Sequence, residues 1–114
     1  MSAAPPDDDA LPPLDAARLA GLKFLPPEKL PGLFAQVLAS AEAVVAADTA
    51  SLALAAHRVK GSAGTVGLAR LSASAATLEA QARQGSVDAA AREHFARVLA
   101  ATREALREHG LTAS

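Results

Sequence analysis

Apolar residues recur at helical spacing in four long segments of this 114-residue chain, and this periodicity constrains the fold more than any other feature. The first segment starts between residues 27 and 32 and ends near 47, and the others span about 49–66, 68–84 and 87–109. Each apolar stripe must be buried against a partner. The 31 alanines and only three aromatic residues suit closely packed helices better than strands. The sequence therefore predicts an all-α fold.

Capping residues and glycines mark the predicted helix ends. Asp48 is predicted to cap the helix over about 49–66, and Ser86 is predicted to cap the helix over about 87–109. Gly85 offers the left-handed position that ends the helix over about 68–84. Asp15 is predicted to cap a short helix through about Lys23. Because short connections make consecutive helices antiparallel, we predict an antiparallel up-and-down four-helix bundle with a short extra N-terminal helix.

The length of the chain predicts one domain with one core. Residues 1–13 are acidic and proline-rich, so we expect a flexible lead-in, followed by the bundle over 14–110 and a disordered tail over 111–114. The start of the chain has no apolar signal region, and no apolar run approaches the roughly 18 residues that span a bilayer. We therefore expect a soluble, cytoplasmic monomer that does not enter a membrane.

Charge and composition exclude several classes of function. The net charge of −1 argues against a nucleic-acid binder, which needs a concentrated basic surface. The chain has no cysteine, and its three histidines lack paired spacing, so we expect no metal site and no cofactor. No glycine-rich phosphate loop or kinase motif is present. We therefore predict neither ATP binding nor enzymatic turnover.

His57 lies in a stretch without acidic residues, on the predicted third helix. At 100° per residue, Val59 on the core stripe sits about 200° round from His57. Lys60, Gly61 and Gly64 lie within about 60° of the histidine. The pattern predicts an outward face made of an imidazole, a lysine and two glycines.

These neighbours suit an imidazole that another protein's active site must reach. Gly61 and Gly64 remove side-chain bulk, although each costs roughly 1 kcal/mol of helix stability relative to alanine. Lys60, three residues after His57, can offset the charge of a phosphoryl group on the ring. Arg58 lies about 100° away and is less well aimed. This local loss of helix propensity indicates function.

Glu79 is the predicted hydrogen-bond partner of this face. If the chain reverses near Gly67, His57 lies about 15 Å before the turn and Glu79 about 18 Å after it, at similar height on antiparallel helices. An imidazole exchanges a phosphoryl group best through one nitrogen when a hydrogen bond fixes the other. We expect Glu79 to accept from the imidazole N–H or to anchor Lys60.

The remaining candidates are assigned structural roles. His94 and His109 lack such neighbours, and His109 ends a predicted helix where an imidazolium suits the dipole. Ser62 falls toward the core side of its helix and is interpreted as a small packing residue.

Four short motifs occur together in this order: His57-Arg-Val-Lys60-Gly61-Ser62-Ala63, Gly67-Leu68, Leu78-Glu79 and Ala82-Arg83-Gln-Gly85. They resemble the histidine-containing phosphotransfer family over about residues 15–108. Some members of that family carry glutamine where this chain has Glu79, and alanine where it has Gly64.

The resemblance implies a four-helix bundle that accepts a phosphoryl group from a kinase or from the phospho-aspartate of a receiver domain, in a hybrid sensor kinase or a response regulator. His57 would be the phosphoacceptor, Lys60 its charge partner, Gly61 the clearance residue and Glu79 the hydrogen-bond partner. We add Arg58 and Gly64 as binding residues.

The receiver would supply magnesium, so the chain itself needs no cofactor. The alternative is a helical adaptor that binds a receiver or kinase domain through the same face and is never phosphorylated.

Overall fold

The computed structural model describes residues 11–112, without the side chains of Lys23 and Phe24. Every regular element in these residues is helical, which confirms the predicted all-α class. The α-helices are α1 (Ala16–Ala20), α2 (Leu30–Ala46), α3 (Thr49–Thr65), α4 (Ala69–Arg83) and α5 (Ala89–Glu108), with short 3₁₀ helices at Gly21–Phe24 and Pro27–Lys29.

The long helices pack pairwise around one core. Helix α3 packs on α2 and α4, and α5 packs on α4 and α2. The sequence pattern assigns Val45 of α2 and Ala55 of α3 to the buried stripes. Most stripe residues are buried, but Val45 is 39% exposed, and Ala56 rather than Ala55 is completely buried. The largest fully buried apolar side chains are those of Phe34, Val44, Leu52, Val59, Leu68, Leu71, Phe95 and Leu106.

Side-chain caps begin three of the helices. The Asp15 carboxylate accepts from the first turn of α1, and Asp48 accepts from the Ser51 N–H at 2.9 Å, as predicted. The predicted cap of the last helix is wrong, because Asp88 rather than Ser86 accepts from the Ala91 N–H at 2.9 Å.

Ser86 instead completes the end of α4. Its N–H and its hydroxyl both donate to the Gln81 carbonyl, at 2.9 and 3.2 Å. Gly85, with a φ of +71°, gives the backbone the left-handed turn that this arrangement requires. Once Ser86 is committed to α4, the next suitable side-chain acceptor along the chain is Asp88.

The reversal between α3 and α4 occurs at Gly67, as predicted. Gly67 has a φ of +84°, and its carbonyl accepts from the Asp15 N–H at 2.7 Å. A Cβ at this position would lie 3.1 Å from Cβ of Arg18. Glycine is therefore required both by the turn and by the approach of α1.

The predicted ends of the domain fall partly outside the described residues, which leave out 1–10 and 113–114. Within them, the Leu11 carbonyl accepts from Arg70 Nε at 2.8 Å, and Leu14 packs against the core. Leu111 also packs against the core, and its N–H donates to the Leu106 carbonyl at 2.9 Å. Leu111 was predicted to begin a disordered tail, and the structure places it in the packed domain.

The helical segment Pro27–Ala46 falls within the predicted bounds, but it is apolar over more residues than the expectation of no membrane-length segment allowed. It has 20 residues and a mean hydropathy of 1.2, enough by length and composition alone to cross a membrane. The buried side chains of α2, Phe34, Val37, Leu38, Ala41 and Val44, belong to the protein core. These five side chains are thus covered by the other helices.

Candidate functional site

His57 projects from the outer face of α3. Its side chain is 54% exposed, whereas Val59, two residues later, is completely buried. Its Nδ1 lies 3.0 Å from Oε2 of Glu79, which comes from the neighbouring helix α4. The structure therefore places His57 on the predicted face, with Glu79 beside it.

The Glu79 carboxylate is the centre of the cluster, and its side chain is only 9% exposed. Oε1 lies 2.8 Å from Nζ of Lys60. Oε2, besides facing His57, accepts from Nε and Nη2 of Arg83 at 3.0 and 2.7 Å. Both predicted uses of Glu79 are present, because it contacts the imidazole and anchors the lysine.

These contacts keep Glu79 ionised. The hydrogen bond from Lys60 and then that from Arg83 lower the pKa of Glu79 from 4.5 to about 2, against the opposing effect of burial. The contact with His57 makes a smaller contribution to the same lowering of the pKa. An ionised carboxylate only accepts hydrogen bonds, so Nδ1 of His57 donates. The lone pair of the neutral ring is then on Nε2.

The two glycines near His57 have different surroundings. A Cβ on Gly61 would meet no atom within 4 Å, so this position is open, as expected of a clearance residue. A Cβ on Gly64 would lie 3.1 Å from Oγ of Ser72 on α4. That hydroxyl donates to the Lys60 carbonyl at 2.8 Å. Gly64 thus faces a helix neighbour rather than open space, contrary to its predicted place on the binding face.

The arginines Arg58 and Arg83 differ in their contacts. Arg58 is exposed, and none of the ion pairs within residues 11–112 includes it. Arg83 was given no role in the sequence prediction, although it pairs with Glu79 four residues earlier on α4. Glutamate followed four residues later by arginine is a known helix-stabilising spacing, and this signal identifies the pair.

The other candidate residues lie apart from this cluster. His94 is half-buried and lines a groove with Ser74 and Asp88 between α4 and α5. His109 donates from Nδ1 to the Ala105 carbonyl at 2.8 Å, at the end of α5. Ser62 is half-buried and donates to the Arg58 carbonyl at 3.0 Å. In the described part of the chain, no group of three histidine, aspartate or glutamate residues is placed to hold a metal ion.

The arrangement combines a nucleophile with an excess of positive charge. Nδ1 of His57 is engaged by Glu79, so Nε2 is the nitrogen available for covalent chemistry. Lys60 and Arg83 outnumber the single carboxylate between them. Such a site can accept an anionic electrophile and release it again.

A comparison with protein families gives a match to this chain. The family model for the Hpt domain matches residues 29–109, a range that includes α2 to α5 and the whole cluster around Glu79. Neither the comparison with curated proteins nor that with solved structures gives a match to this chain.

Proposed function

The chain belongs to the Hpt domain family, whose members are phosphotransfer modules of two-component systems, and from this premise we propose that it carries a phosphoryl group on His57. In this role it accepts phosphate from the phospho-aspartate of a receiver domain, or from a kinase, and passes it to another receiver. Hpt domains are phosphocarriers rather than enzymes, so the chain has no turnover of its own.

The packing of the helices supports the bundle that this function uses. Helices α2 to α5 contact one another in a closed ring, with connections of a few residues between them. We interpret this ring as an antiparallel up-and-down four-helix bundle, with α1 as the extra N-terminal helix. In such a bundle α3 and α4 lie side by side, which lets a histidine on one meet a glutamate on the other.

Phosphoryl acceptance proceeds by attack of the Nε2 lone pair on phosphorus. The P–O bond to the donor aspartate breaks, and its electron pair remains on the aspartate carboxylate. The Nδ1 proton stays on the ring, so the imidazole becomes a cation facing ionised Glu79, which stabilises it. In the onward step the P–N bond breaks and its electron pair returns to Nε2.

Lys60 and Gly61 assist from the same face. Lys60 lies one turn from His57 and can place its ammonium on a phosphoryl oxygen. The open space at Gly61 admits the partner's active site. The receiver supplies the magnesium that neutralises the phosphoryl group during transfer, and this chain contributes no cofactor.

Receiver domains are the partners of this family, and we propose that a receiver domain docks on this chain over the exposed His57. Leu54, one turn before His57 on α3, is 52% exposed and provides apolar contact area beside the imidazole. The specific partner would be a hybrid sensor kinase or a response regulator. We further propose that the chain acts as a monomer in the cytoplasm, where such receivers are found.

The contact of His57 with a buried, doubly paired Glu79 carries this proposal. The test incubates the chain with acetyl-phosphate-charged receiver domains of the source organism. We expect an acid-labile, base-stable phosphoprotein from wild type and from the matched variants His94→Gln and His109→Gln, but none from His57→Gln. Equal labelling of wild type and His57→Gln would refute the proposal, and receiver binding without any label would favour the adaptor.

A further inference from the structure

The carboxylate of Glu79 has one cationic partner from each of two helices. Lys60, on α3 with the histidine, has its Nζ 2.8 Å from Oε1. Arg83, on α4 with Glu79, makes two hydrogen bonds to Oε2, the oxygen that also faces Nδ1 of His57. The two oxygens therefore depend on different cations.

Phosphorylation of His57 creates competition for Lys60. A phosphoryl group adds close to two negative charges within one helical turn of the lysine. Lys60 is a flexible point charge whose side chain is 40% exposed, so it can rotate toward the phosphoryl oxygens. When it does, Oε1 loses its ion pair, and a carboxylate that is 9% exposed depends on Arg83 and the ring N–H of His57 for its remaining partners.

Arg83 is placed to keep the carboxylate paired when Lys60 moves away. It lies four residues after Glu79 on the same helix, so it keeps its position relative to the carboxylate whatever Lys60 does. Its bonds from Nε and Nη2 fix Oε2 beside the imidazole N–H. A guanidinium holds this geometry with little loss of rotamer freedom per hydrogen bond.

We propose that Arg83 is a positioning residue that keeps Glu79 paired and in place, so that Lys60 is free to move from Glu79 to the phosphoryl group on His57. This inference rests on the proposed function and adds a division of labour between the two cations. Arg83 acts through Glu79 and does not contact the phosphoryl group.

The test measures the lifetime of phosphohistidine after phosphorylation with phosphoramidate, which needs no partner protein. The variants are Lys60→Gln, Arg83→Gln and the double variant, and decay is followed by ³¹P NMR and intact mass. Arg103→Gln is the matched control, because it removes an arginine–glutamate pair, with Glu42, away from the site. Nitrogen-15 NMR of the unphosphorylated ring reports the tautomer of His57.

We expect each single variant to shorten the lifetime by about two- to fivefold, the size of one partly exposed ion pair. Without Arg83, Lys60 stays on Glu79, so the double variant should decay about as fast as Lys60→Gln alone. In Lys60→Gln the Nδ1–H tautomer should persist, because Arg83 still holds Glu79. Arg83→Lys should recover part of the lifetime, and Arg103→Gln should leave it unchanged.

Different outcomes overturn different claims. Multiplying effects in the double variant would mean that Arg83 acts on the phosphoryl group directly, against the inference. An unchanged lifetime in Arg83→Gln would remove its role while leaving phosphotransfer intact. A wild-type chain that acquires no phosphohistidine would overturn the proposed function, and the role of Arg83 with it.

Discussion

His57 and His109 have similar immediate surroundings. Both are exposed, and both donate from Nδ1, His57 to Glu79 at 3.0 Å and His109 to the Ala105 carbonyl at 2.8 Å. In each case the proton is held on one nitrogen and the other nitrogen is left available. A fixed tautomer on an accessible ring is therefore common to both positions.

The two positions differ in charge. The acceptor at His109 is a neutral backbone carbonyl at the end of α5. The acceptor at His57 is a buried carboxylate held by Lys60 and Arg83, whose pKa these contacts lower to about 2. An imidazolium that forms during phosphoryl transfer finds a full counter-charge only at His57. Under the proposed function, the comparison teaches that the charged partner, rather than the tautomer, sets the phosphoacceptor apart.

Removal of the charged acceptor should have the largest effect. Glu79→Ala deletes a charge-assisted hydrogen bond worth about 1.5–3 kcal/mol, so phosphorylation of His57 by a charged receiver should slow by about ten- to a hundredfold. The matched change Glu104→Ala breaks the ion pair with Arg107 one turn before His109. It should leave the rate, measured by radiolabel transfer, unchanged. Equal rates for both variants would remove the distinction between the two histidines.

The open position at Gly61 tests whether access of a receiver domain to His57 matters. Gly61→Val adds bulk where no atom of this chain lies within 4 Å. A clash with the docked receiver should cost about 1–3 kcal/mol and slow transfer from the receiver by about tenfold. Phosphorylation by phosphoramidate, a small reagent, should change little. Gly32→Val, also in open space on a helix, is the control for helix propensity. If the receiver and phosphoramidate reactions slow equally, the clearance role of Gly61 is wrong.

A smaller effect concerns how closely α3 and α4 approach at this site. Gly64→Ala should not raise the free energy of unfolding by the roughly 1 kcal/mol expected in an unobstructed helix, because the new Cβ would lie 3.1 Å from Oγ of Ser72. In a Ser72→Ala background that contact is gone, so Gly64→Ala should become more favourable by about 1 kcal/mol. Chemical denaturation of the four members of this cycle gives the coupling. If the effects of Gly64→Ala and Ser72→Ala on the free energy of unfolding are additive, the contact between the new Cβ and Ser72 has no energetic cost.

The last expected effect is on acid stability. The folded-state pKa of Glu79 is depressed, so its stabilising contribution is complete above about pH 4.5 and is lost as the pH falls toward about 2. Glu79→Gln should therefore flatten part of the decline in unfolding free energy across that window. The capping carboxylate Asp48, whose pKa its bonds to Ser51 also lower, remains in both proteins and accounts for part of the residual slope. Parallel curves for wild type and variant would contradict the ionised cluster.

The parts of the site that the sequence predicts depend on distance along helices. Once the reversal is assigned to Gly67, the fixed rise per residue brings His57 and Glu79 to the same height. The outward face of His57 likewise follows from the helical period. These quantities need no knowledge of side-chain conformation.

The parts that the sequence did not predict depend on competition between neighbours. Gly64 shares the outward sector with His57 on a helical wheel, but the closeness of α4 turns that edge into a helix contact with Ser72. The choice of Asp88 over Ser86 as a cap was decided by the end of the preceding helix. The four-residue spacing between Glu79 and Arg83 is enough to predict an ion pair. The contact of Arg83 with Oε2 in particular depends on the rotamers of both side chains.

The nitrogen that carries the phosphoryl group gives the most direct test of the central claim, which is that Glu79 holds Nδ1 and leaves Nε2 to react. Long-range ¹H–¹⁵N and ³¹P NMR of the phosphorylated, ¹⁵N-labelled chain identifies that nitrogen. We expect phosphorus on Nε2 of His57, with the ring proton on Nδ1 facing Glu79. Phosphorus on Nδ1, or on His94 or His109, would contradict it.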